Sequence, residues 1–247
     1  MPRLTEIITI GEKEAFTLVG SGGKTTTMWL LAGCNQHMKT LVTTTTKFFR
    51  SKQRQFVDYR DSLTLLVAPI VPGITLAGDS LPEDERDKLG ALDPAVLEKG
   101  RGLFDRILIE GDGSRQLPLK AWADYEPVVP DFTTCTVGVV TLWPVGKAVD
   151  ESIVFRLPLF CAISGAREGE ALTVEHIAAV IAHPQGLWKG SRGRRILFIN
   201  QADDKAGMDR AASLLQAIRP EALQAMHMVV AGSARDDRGE VLWRQSE

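Results

Sequence analysis

The residues best suited to chemistry lie in one glycine-rich segment, Gly20-Ser21-Gly22-Gly23-Lys24-Thr25. The apolar run 15–19 precedes it and the apolar run 28–32 follows it, which predicts a strand, a tight turn and a helix. Backbone N–H groups in such a turn, together with the helix dipole, attract phosphate oxygens. We therefore expect a phosphate-binding loop in which Lys24 reaches the β- and γ-phosphates and the Thr25 hydroxyl is a ligand of Mg²⁺.

This segment is shorter than the full pattern G-x-x-x-x-G-K-[ST], because Leu18 stands five positions before Gly23. The shorter form G-x-x-G-K-T is present, and its position between a strand and a helix supports the same interpretation. The alternative is a glycine-rich turn with a solvated Lys24. The expected phosphate contacts are Gly20, Ser21, Gly22, Gly23, Lys24, Thr25 and Thr26.

A second candidate segment is the apolar strand 106–110, which continues into Gly111-Asp112-Gly113. Mg²⁺ keeps most of its waters in proteins, so carboxylates that accept hydrogen bonds from those waters belong beside a phosphate-binding loop. The spacing Glu110-x-x-Gly113 is that of the D-x-x-G motif of GTPases, with Glu in place of Asp. We expect Glu110 or Asp112 to have a metal-binding or hydrolytic role, so that the catalytic candidates are Lys24, Glu110 and Asp112. The alternative is an ordinary turn after a strand.

A run of hydroxyl side chains, Thr43-Thr44-Thr45-Thr46, ends the predicted strand 40–43. Hydroxyls at that place could meet the γ-phosphate or a water bound to Mg²⁺. The alternative is a β-branched strand end, which threonine favours in any case. The expected metal-binding set is Thr25, Thr45 and Glu110.

Two further strand ends carry residues that could read a nucleotide base. Asn200-Gln201-Ala202-Asp203 follows the strand 196–199 and is similar to the N-K-x-D motif of GTPases, with Gln201 in the place of Lys. Asp203 can accept hydrogen bonds from the N1–H and N2–H₂ donors of guanine, so GTP is slightly favoured over ATP. The alternative is that Asp203 or the next residue caps the following helix. Ser233-Ala234 after the last core strand is similar to the S-A-K loop of GTPases, so the expected base contacts are Asn200, Gln201, Asp203, Ser233 and Ala234.

Strands that alternate with helices predict an α/β fold, a three-layer, mostly parallel sheet with helices on both faces. In such sheets ligands bind outside the carboxyl ends of the strands, where every motif above lies. Because one nucleotide site then reaches from Gly20 to Arg235, we expect a single domain over 1–247, with an elaboration at about 114–193. The other predicted strands are 63–68, 136–142, 226–231 and an edge strand 240–244, and the predicted helices are 84–99 around Pro94, 150–163, 173–182 and 208–218, with a solvated loop or helix at 48–61.

Composition restricts the classes of function. The 247 residues include 29 Lys and Arg against 31 Asp and Glu, a formal net charge of −2 that argues against binding to nucleic acid or to a membrane surface. No stretch approaches the ~18 apolar residues of a membrane span, and the first residues lack the apolar run of a signal peptide. Three widely separated cysteines favour a reducing cytoplasm, and the four histidines lack the spacing of a zinc site.

Six segments together resemble the YqeC-type accessory proteins of selenium-dependent molybdenum hydroxylases, over nearly the whole chain. One departure is Gly111, where the family pattern has Ala. The resemblance implies the fold of a P-loop NTPase and a role in maturing selenium-containing molybdenum hydroxylases, so a client hydroxylase or its cofactor-maturation proteins are the implied partners. The segments are 19–26 (V-G-S-G-G-K-T-T), 41–47 (L-V-T-T-T-T-K), 110–120 (E-G-D-G-S-R-Q-L-P-L-K), 125–130 (Y-E-P-V-V-P), 183–190 (H-P-Q-G-L-W-K-G) and 200–203 (N-Q-A-D).

Three functions remain open at this point. The first is an Mg²⁺-dependent NTPase that uses GTP or ATP. The second is a ligase or kinase that transfers phosphate to a small molecule, because the loop is also similar to that of Mur-type ligases (G-T-x-G-K-T-T) and the segment 114–190 could form an acceptor pocket. The third is a non-catalytic module whose docking depends on bound nucleotide. The Glu110-x-x-Gly113 segment is similar to nickel-type GTPase metallochaperones, which favours the first.

Overall fold

A computed structural model describes residues 1–49, 56–67, 69–85 and 87–246. Strands and α-helices alternate along part of these residues, but six strands follow one another between Lys39 and Gly90 with no α-helix between them in the described part of the chain. The helix predicted at 84–99 is therefore wrong before Pro94, because Lys88–Gly90 is a strand. The strands, in chain order, are β1 (Glu14–Gly20), β2 (Lys39–Thr44), β3 (Lys47–Phe49), β4 (Asp58–Arg60), β5 (Gly73–Ala77), β6 (Asp79–Ser80), β7 (Lys88–Gly90), β8 (Arg106–Glu110), β9 (Leu119–Lys120), β10 (Cys135–Thr141), β11 (Val154–Phe155), β12 (Arg194–Asn200), β13 (Met228–Ser233) and β14 (Arg238–Arg244).

The helices cover both faces of the sheet that these strands form. Three of them begin at side-chain caps: Asp93 accepts from two backbone N–H groups of α3, Thr173 caps α5 and Asp204 caps α6. The α-helices are α1 (Leu4–Ile7), α2 (Lys24–Ala32), α3 (Pro94–Gly100), α4 (Leu157–Ser164), α5 (Val174–Ala182), α6 (Lys205–Ala217) and α7 (Pro220–Gln224).

The central sheet has nine strands in the order β14-β13-β12-β10-β1-β8-β2-β5-β4. All neighbours pair in parallel except β13 and β14, which are antiparallel. The predicted α/β class with a mostly parallel sheet is therefore confirmed, and its architecture is consistent with that of P-loop NTPases. Strand β1 lies between β8 and β10, with Leu18 opposite Glu110 and Gly20 opposite Val139. This register brings the phosphate-binding loop and Glu110 to the same edge of the sheet.

Alternation along β1 places its side chains in separate packed cores on the two faces. Phe16 and Leu18 pack with residues of α1 and α2 on one face. Val19 packs on the other face with residues of α4, α5 and α6. The predicted covering of both faces by helices is thus confirmed.

The strand predicted at 63–68 is wrong, because residues 62–67 form turns and residue 68 lies outside the described part. The Asp61 carboxylate accepts hydrogen bonds from the backbone N–H groups of Leu63 and Thr64, which favours a turn over a ladder. The sheet strand of this region is β5, ten residues later. In the predicted loop or helix at 48–61, the described residues include parts of β3 and β4, and residues 50–55 lie outside them.

In the predicted elaboration 114–193, the segment 114–131 is irregular apart from β9. Strand β9 pairs in parallel with β11, which ties Lys120 to Phe155. The helix predicted at 150–163 begins only at Leu157, because β11 occupies the residues before it. In the described part of the chain, every helix is too short or too polar to pass through a bilayer.

Candidate functional site

The predicted phosphate-binding loop connects β1 to α2. Gly20 and Gly23 have φ angles of 99° and 124°, which residues other than glycine rarely adopt. A Cβ atom at Gly23 would also lie 2.1 Å from the Nδ2 atom of Asn200. Glycine is therefore required here both by the backbone and by the closeness of the neighbouring strand end.

Contacts from two other segments hold this loop in place. The Ser21 N–H donates to the Val139 carbonyl at 3.0 Å, and the Ser21 hydroxyl donates to the Pro118 carbonyl at 2.8 Å. The Gly20 N–H donates to Asp112 Oδ2 at 3.0 Å. These three contacts within the protein fix the position of the loop relative to Asp112, Pro118 and Val139.

Lys24 begins α2 and is almost fully buried. Its Nζ donates to the Gly20 carbonyl at 2.6 Å and lies 3.1 Å from Asp112 Oδ1. Burial alone lowers the pKa of Lys24, but the nearby carboxylates of Asp112 and Glu110 outweigh it, and the net pKa is raised. Lys24 is therefore a fixed cation at the N-terminus of a helix, where anions are favoured.

Asp112 is fully buried and is the centre of a polar cluster. Its Oδ2 atom accepts from the Trp122 Nε1–H at 2.5 Å and lies 3.1 Å from Lys120 Nζ. Burial raises the pKa of this carboxyl, but Lys120, Lys24 and the Gly20 N–H outweigh burial and lower the pKa overall. Asp112 is thus held as a carboxylate that positions the loop and its lysine.

Glu110 ends β8 directly beside the start of α2. Its Oε2 atom accepts a hydrogen bond from the Thr25 hydroxyl at 2.7 Å. Burial raises the pKa of Glu110 above its ordinary value, although Lys24 and Thr25 oppose the shift. A hydroxyl and a carboxylate, both hard oxygen donors, therefore stand together where the sequence predicts Mg²⁺.

The donor set at this place fits Mg²⁺ better than a metal caged by protein side chains. In the described residues, no group of three or more His, Cys, Asp or Glu side chains could hold a metal ion. Mg²⁺ usually takes one or two protein ligands and completes its shell with waters and substrate phosphates. Thr25 and Glu110 would supply the protein share of such a shell.

Thr45, the third residue of the expected metal set, contacts the backbone around this site. Its N–H donates to the Glu110 carbonyl at 3.1 Å, and its hydroxyl donates to the Val128 carbonyl at 2.7 Å. The neighbouring Thr44 hydroxyl also donates to the Glu110 carbonyl, at 2.9 Å. Thr46, one position further, lines the cleft that contains Thr25 and Glu110.

Asn200, at the end of β12, joins two of the predicted loops. Its buried side chain donates through Nδ2 to the Gly22 carbonyl at 2.8 Å and accepts through Oδ1 from the Ala234 N–H at 2.9 Å. The strand ends of β1, β12 and β13 are therefore connected by one amide group. An amide is suited to this position because it is a donor and an acceptor at once.

A cavity of about 380 Å³ lies beside Asn200 and contains the candidate base-reading residues. Asp204, not Asp203, caps α6 by accepting from the Gly207 N–H at 2.7 Å. The Asp203 side chain remains at the cavity wall. The residues that line this cavity are Gly23, Thr26, Trp143, Asn200, Gln201, Asp203, Ser233 and Arg235.

A larger cleft of about 970 Å³ opens on the other side of the phosphate-binding loop. It is lined by Lys24, Thr25 and Glu110, and beyond them by residues of the segments 113–118 and 125–126. Gly23, Thr26, Trp143 and Gln201 line both cavities. The two cavities therefore meet at the loop.

Three residues of this site are absent from the motif analysis. Trp143 follows the end of β10, is 42% exposed and lines both cavities. The rule that ligands meet strand ends, applied to β10 as well, could have found it. Lys120, in the short strand β9, and Trp122, just after it, contact Asp112, and no local pattern indicates that role.

Comparison with known proteins identifies the family. The family described as YqeC protein matches residues 16–158, which include the phosphate-binding loop, Glu110 and Asp112. The chain is 31% identical over 217 residues to the uncharacterized protein YqeC of Escherichia coli (strain K12), over 85% of this chain and 84% of that protein. No solved structure matches the chain significantly. The family match agrees with this similarity over most of both chains, and the chain belongs to the YqeC family.

Proposed function

We propose that this protein binds a nucleoside triphosphate with Mg²⁺ and hydrolyses it, with GTP slightly favoured over ATP. The observation that carries the proposal is the Asn200 side chain, which holds the phosphate-binding loop and the Ala234 loop together at one edge of the sheet. A second support is the hydrogen bond between Thr25 and Glu110. Together, these contacts are consistent with phosphate, metal and base contacts around the two cavities that meet at the loop. The whole chain would act as one domain around these cavities.

Hydrolysis would transfer the γ-phosphoryl group to water. The water oxygen forms a bond to the γ-phosphorus, and the bond from that phosphorus to the β–γ bridging oxygen breaks. One proton of the water stays on the phosphate product, the other is released to solvent, and nucleoside diphosphate and inorganic phosphate leave. Lys24 would stabilise the charge on the phosphate oxygens, for which its Nζ moves from Asp112 to the ligand. Bound Mg²⁺ would neutralise charge on the β- and γ-phosphates. Glu110 and Thr25 would hold its shell.

The base would lie in the 380 Å³ cavity. Asp203 would accept from the two guanine donors. Because the Ala234 N–H already donates to Asn200, a neighbouring backbone N–H of the Ser233–Arg235 segment would approach guanine O6. The Thr141 hydroxyl donates to Gln201 Oε1 at 2.6 Å, which fixes Gln201 at the junction of the two cavities. The Lys147 Nζ atom lies 4.3 Å from the centre of the Trp143 ring, so Trp143 would offer the other face of its ring to the base.

At the level of physiology, we propose an accessory role in the maturation of selenium-dependent molybdenum hydroxylases in the cytoplasm. The support for it is membership of the YqeC family and the resemblance of six segments along the chain. A client hydroxylase or one of its maturation proteins would be the partner. Co-purification of such a client with the tagged protein, compared in GTP, GDP and no nucleotide, tests this role.

Titration with nucleotide tests the molecular proposal. We expect GTP with Mg²⁺ to raise the melting temperature more than ATP with Mg²⁺, since a ligand at 100 times its Kd adds about 2.7 kcal/mol of stability. Lys24→Ala should abolish both the shift and phosphate release, whereas Lys99→Ala, an exposed lysine on α3, should change neither. Asp203→Asn should relax the preference for GTP. Normal binding and hydrolysis by Lys24→Ala would refute the proposal.

A second candidate function is phosphoryl transfer to a small molecule. The observation in its favour is the size of the cleft on the Glu110 side, since about 970 Å³ exceeds what the phosphates of a nucleotide need. Release of nothing but nucleoside diphosphate and phosphate with every acceptor tested would count against it. Tight nucleotide binding without turnover of either kind would instead indicate a nucleotide-dependent docking module.

A further inference from the structure

The cleft of about 970 Å³ extends away from the 380 Å³ cavity proposed for the base, which is called the base cavity below. It lies on the side where the γ-phosphate would end. Glu110 and Gly113 line the larger cleft, whereas Asn200 and Asp203 line the base cavity. A triphosphate bound at the loop between them would therefore point its terminal phosphate into the larger cleft. Most of that volume remains open for a second ligand.

The wall opposite the phosphate-binding loop carries two arginines around one aromatic ring. The guanidinium carbons of Arg115 and Arg156 lie 4.9 Å and 4.5 Å from the centre of the Phe155 ring. Arg156 is fixed by Glu126 and Tyr125, at 2.5 Å and 3.2 Å. The planar guanidinium over a ring presents its N–H groups at the edge, where a planar anion can accept from those that have no partner in the protein.

Arg115 differs from Arg156 in having no carboxylate partner. Within the described residues, its guanidinium makes the ring contact and neither a hydrogen bond nor an ion pair. The five N–H donors of Arg115 are therefore available to a ligand. The cleft is also basic as far as the described residues line it, because five basic side chains among them stand against three acidic ones. They are Lys24, Lys47, Lys88, Arg115 and Arg156, and Glu85, Glu110 and Glu126.

Backbone strain is concentrated around the same cleft. Among the described residues, six that are not glycine have positive φ angles, and four of the six line this cleft. Such conformations cost about 1–3 kcal/mol each and cluster at functional sites, where the surrounding structure imposes them. The four are Arg115, Gln116, Arg156 and Gln201.

We propose that the cleft binds a second, small anionic molecule, a carboxylate or a phosphate-type oxyanion, whose charged group is held by Arg115 and Arg156 and faces the γ-phosphate position. This inference rests on the proposed nucleotide site for the place of the γ-phosphate. The arginine site itself depends only on the contacts of Arg115, Arg156 and Phe155. The proposal gives the segment 114–193 the role of recognising a second ligand.

The test is calorimetric titration of protein saturated with Mg²⁺ and a non-hydrolysable GTP analogue, which fills the γ-position. Citrate is the carboxylate probe and orthophosphate is the oxyanion probe. We expect at least one of them to bind with one site per chain, and Arg115→Asn to weaken that binding tenfold or more. Asparagine is chosen because it tolerates the left-handed backbone of this position. Arg115→Lys should also weaken binding, since it keeps the charge and loses the planar fork.

A matched control is Arg101→Ala, which removes another arginine that stacks on a phenylalanine, at 5.5 Å from Phe132 and outside the cleft. It should leave anion binding unchanged. Absence of binding by both probes, or a change below twofold in Arg115→Asn, would overturn the proposal. Failure of the nucleotide site would appear separately, as no binding of the GTP analogue. In that case, citrate is titrated into Lys24→Ala protein without nucleotide to test the arginine site alone. Binding that Arg115→Asn weakens tenfold or more would support the site, and no binding, or a change below twofold, would overturn it.

Discussion

Replacement of Asp112 by asparagine should destabilise the protein strongly. The carboxylate lies 3.1 Å from the Nζ atoms of both Lys24 and Lys120, and the side chains of the three residues are 0%, 4% and 1% exposed. Asparagine has nearly the same shape but carries no charge, so it leaves two buried ammonium groups without this partner. It can also accept with only one of its two terminal atoms.

The size of the loss follows from this burial. Removing one partner of a buried ion pair costs about 3–5 kcal/mol, because the remaining charge stays out of water. Domains of this kind have unfolding free energies of about 5–15 kcal/mol, so the loss is a large part of the total. At about 2–4 °C per kcal/mol for a chain of this length, the melting temperature should fall by about 6–20 °C.

Urea unfolding followed by circular dichroism measures the free energy of unfolding directly. The matched control is Asp131→Asn, which removes a 90% exposed carboxylate paired with the exposed Arg192. That change should cost well under 1 kcal/mol. A second arm combines Asp112→Asn with Lys120→Met, which removes one of the stranded charges. We expect the double variant to lose less unfolding free energy than the sum of the losses in the two single variants.

Two results would refute this reasoning. The first is a loss below about 1 kcal/mol in Asp112→Asn, and the second is strict additivity with Lys120→Met. The pH dependence gives an independent check. Because the folded pKa of Asp112 lies below its unfolded value of about 3.9, its contribution is complete above that pH and disappears as the pH falls through the folded pKa. The difference between wild type and Asp112→Asn should therefore shrink in acid below about pH 4.

Three further results are expected. Glu110→Gln should raise the melting temperature of the protein without nucleotide at pH 8 but not at pH 4. Burial raises the pKa of Glu110 in the folded state, so this residue lowers stability as the pH rises from the unfolded pKa of about 4.3 to the folded pKa. The same variant should lose Mg²⁺-dependent nucleotide affinity. Asn200→Ala should cost about 2–4 kcal/mol in urea unfolding, since it leaves the Gly22 carbonyl and the Ala234 N–H without their partner; a cost below 1 kcal/mol would contradict the bridge. Trp143→Ala should weaken nucleotide binding about tenfold with little change in stability, because a stacked base is worth about 1–3 kcal/mol; unchanged affinity in fluorescence titration would exclude stacking.

The order of strands and helices around the site follows from local sequence. Short apolar runs that stop at Gly20, Glu110 and Asn200 predict strands whose ends carry polar groups, and the structure brings these three ends together. The parallel arrangement is what converts spacing along the chain into proximity. That step needs only the rule that connected parallel strands end at the same edge of a sheet.

Local sequence does not predict the parts of the site that depend on side-chain competition or long-range packing. Residues 63–68 have a strand composition, but the Asp61 carboxylate satisfies two backbone N–H groups and makes a turn. Lys120, in the short strand β9, and Trp122, just after it, have their role only because this part of the chain folds back onto Asp112. No hydrophobic periodicity in the sequence predicts such a contact.

The Asp112 cluster also explains how a buried lysine can serve a ligand. When Lys24 moves to a phosphate, Asp112 keeps Lys120, the Trp122 N–H and the Gly20 N–H as partners, so no buried carboxylate is left alone. The loop itself is held by Pro118, Val139 and Asn200, and contacts within the protein of this kind reduce what a ligand has to order. Binding then requires the displacement of one side chain from a carboxylate that retains a second cation. Lys120 would therefore be as much a part of the proposed nucleotide site as Lys24, although it is Lys24 that would touch the ligand.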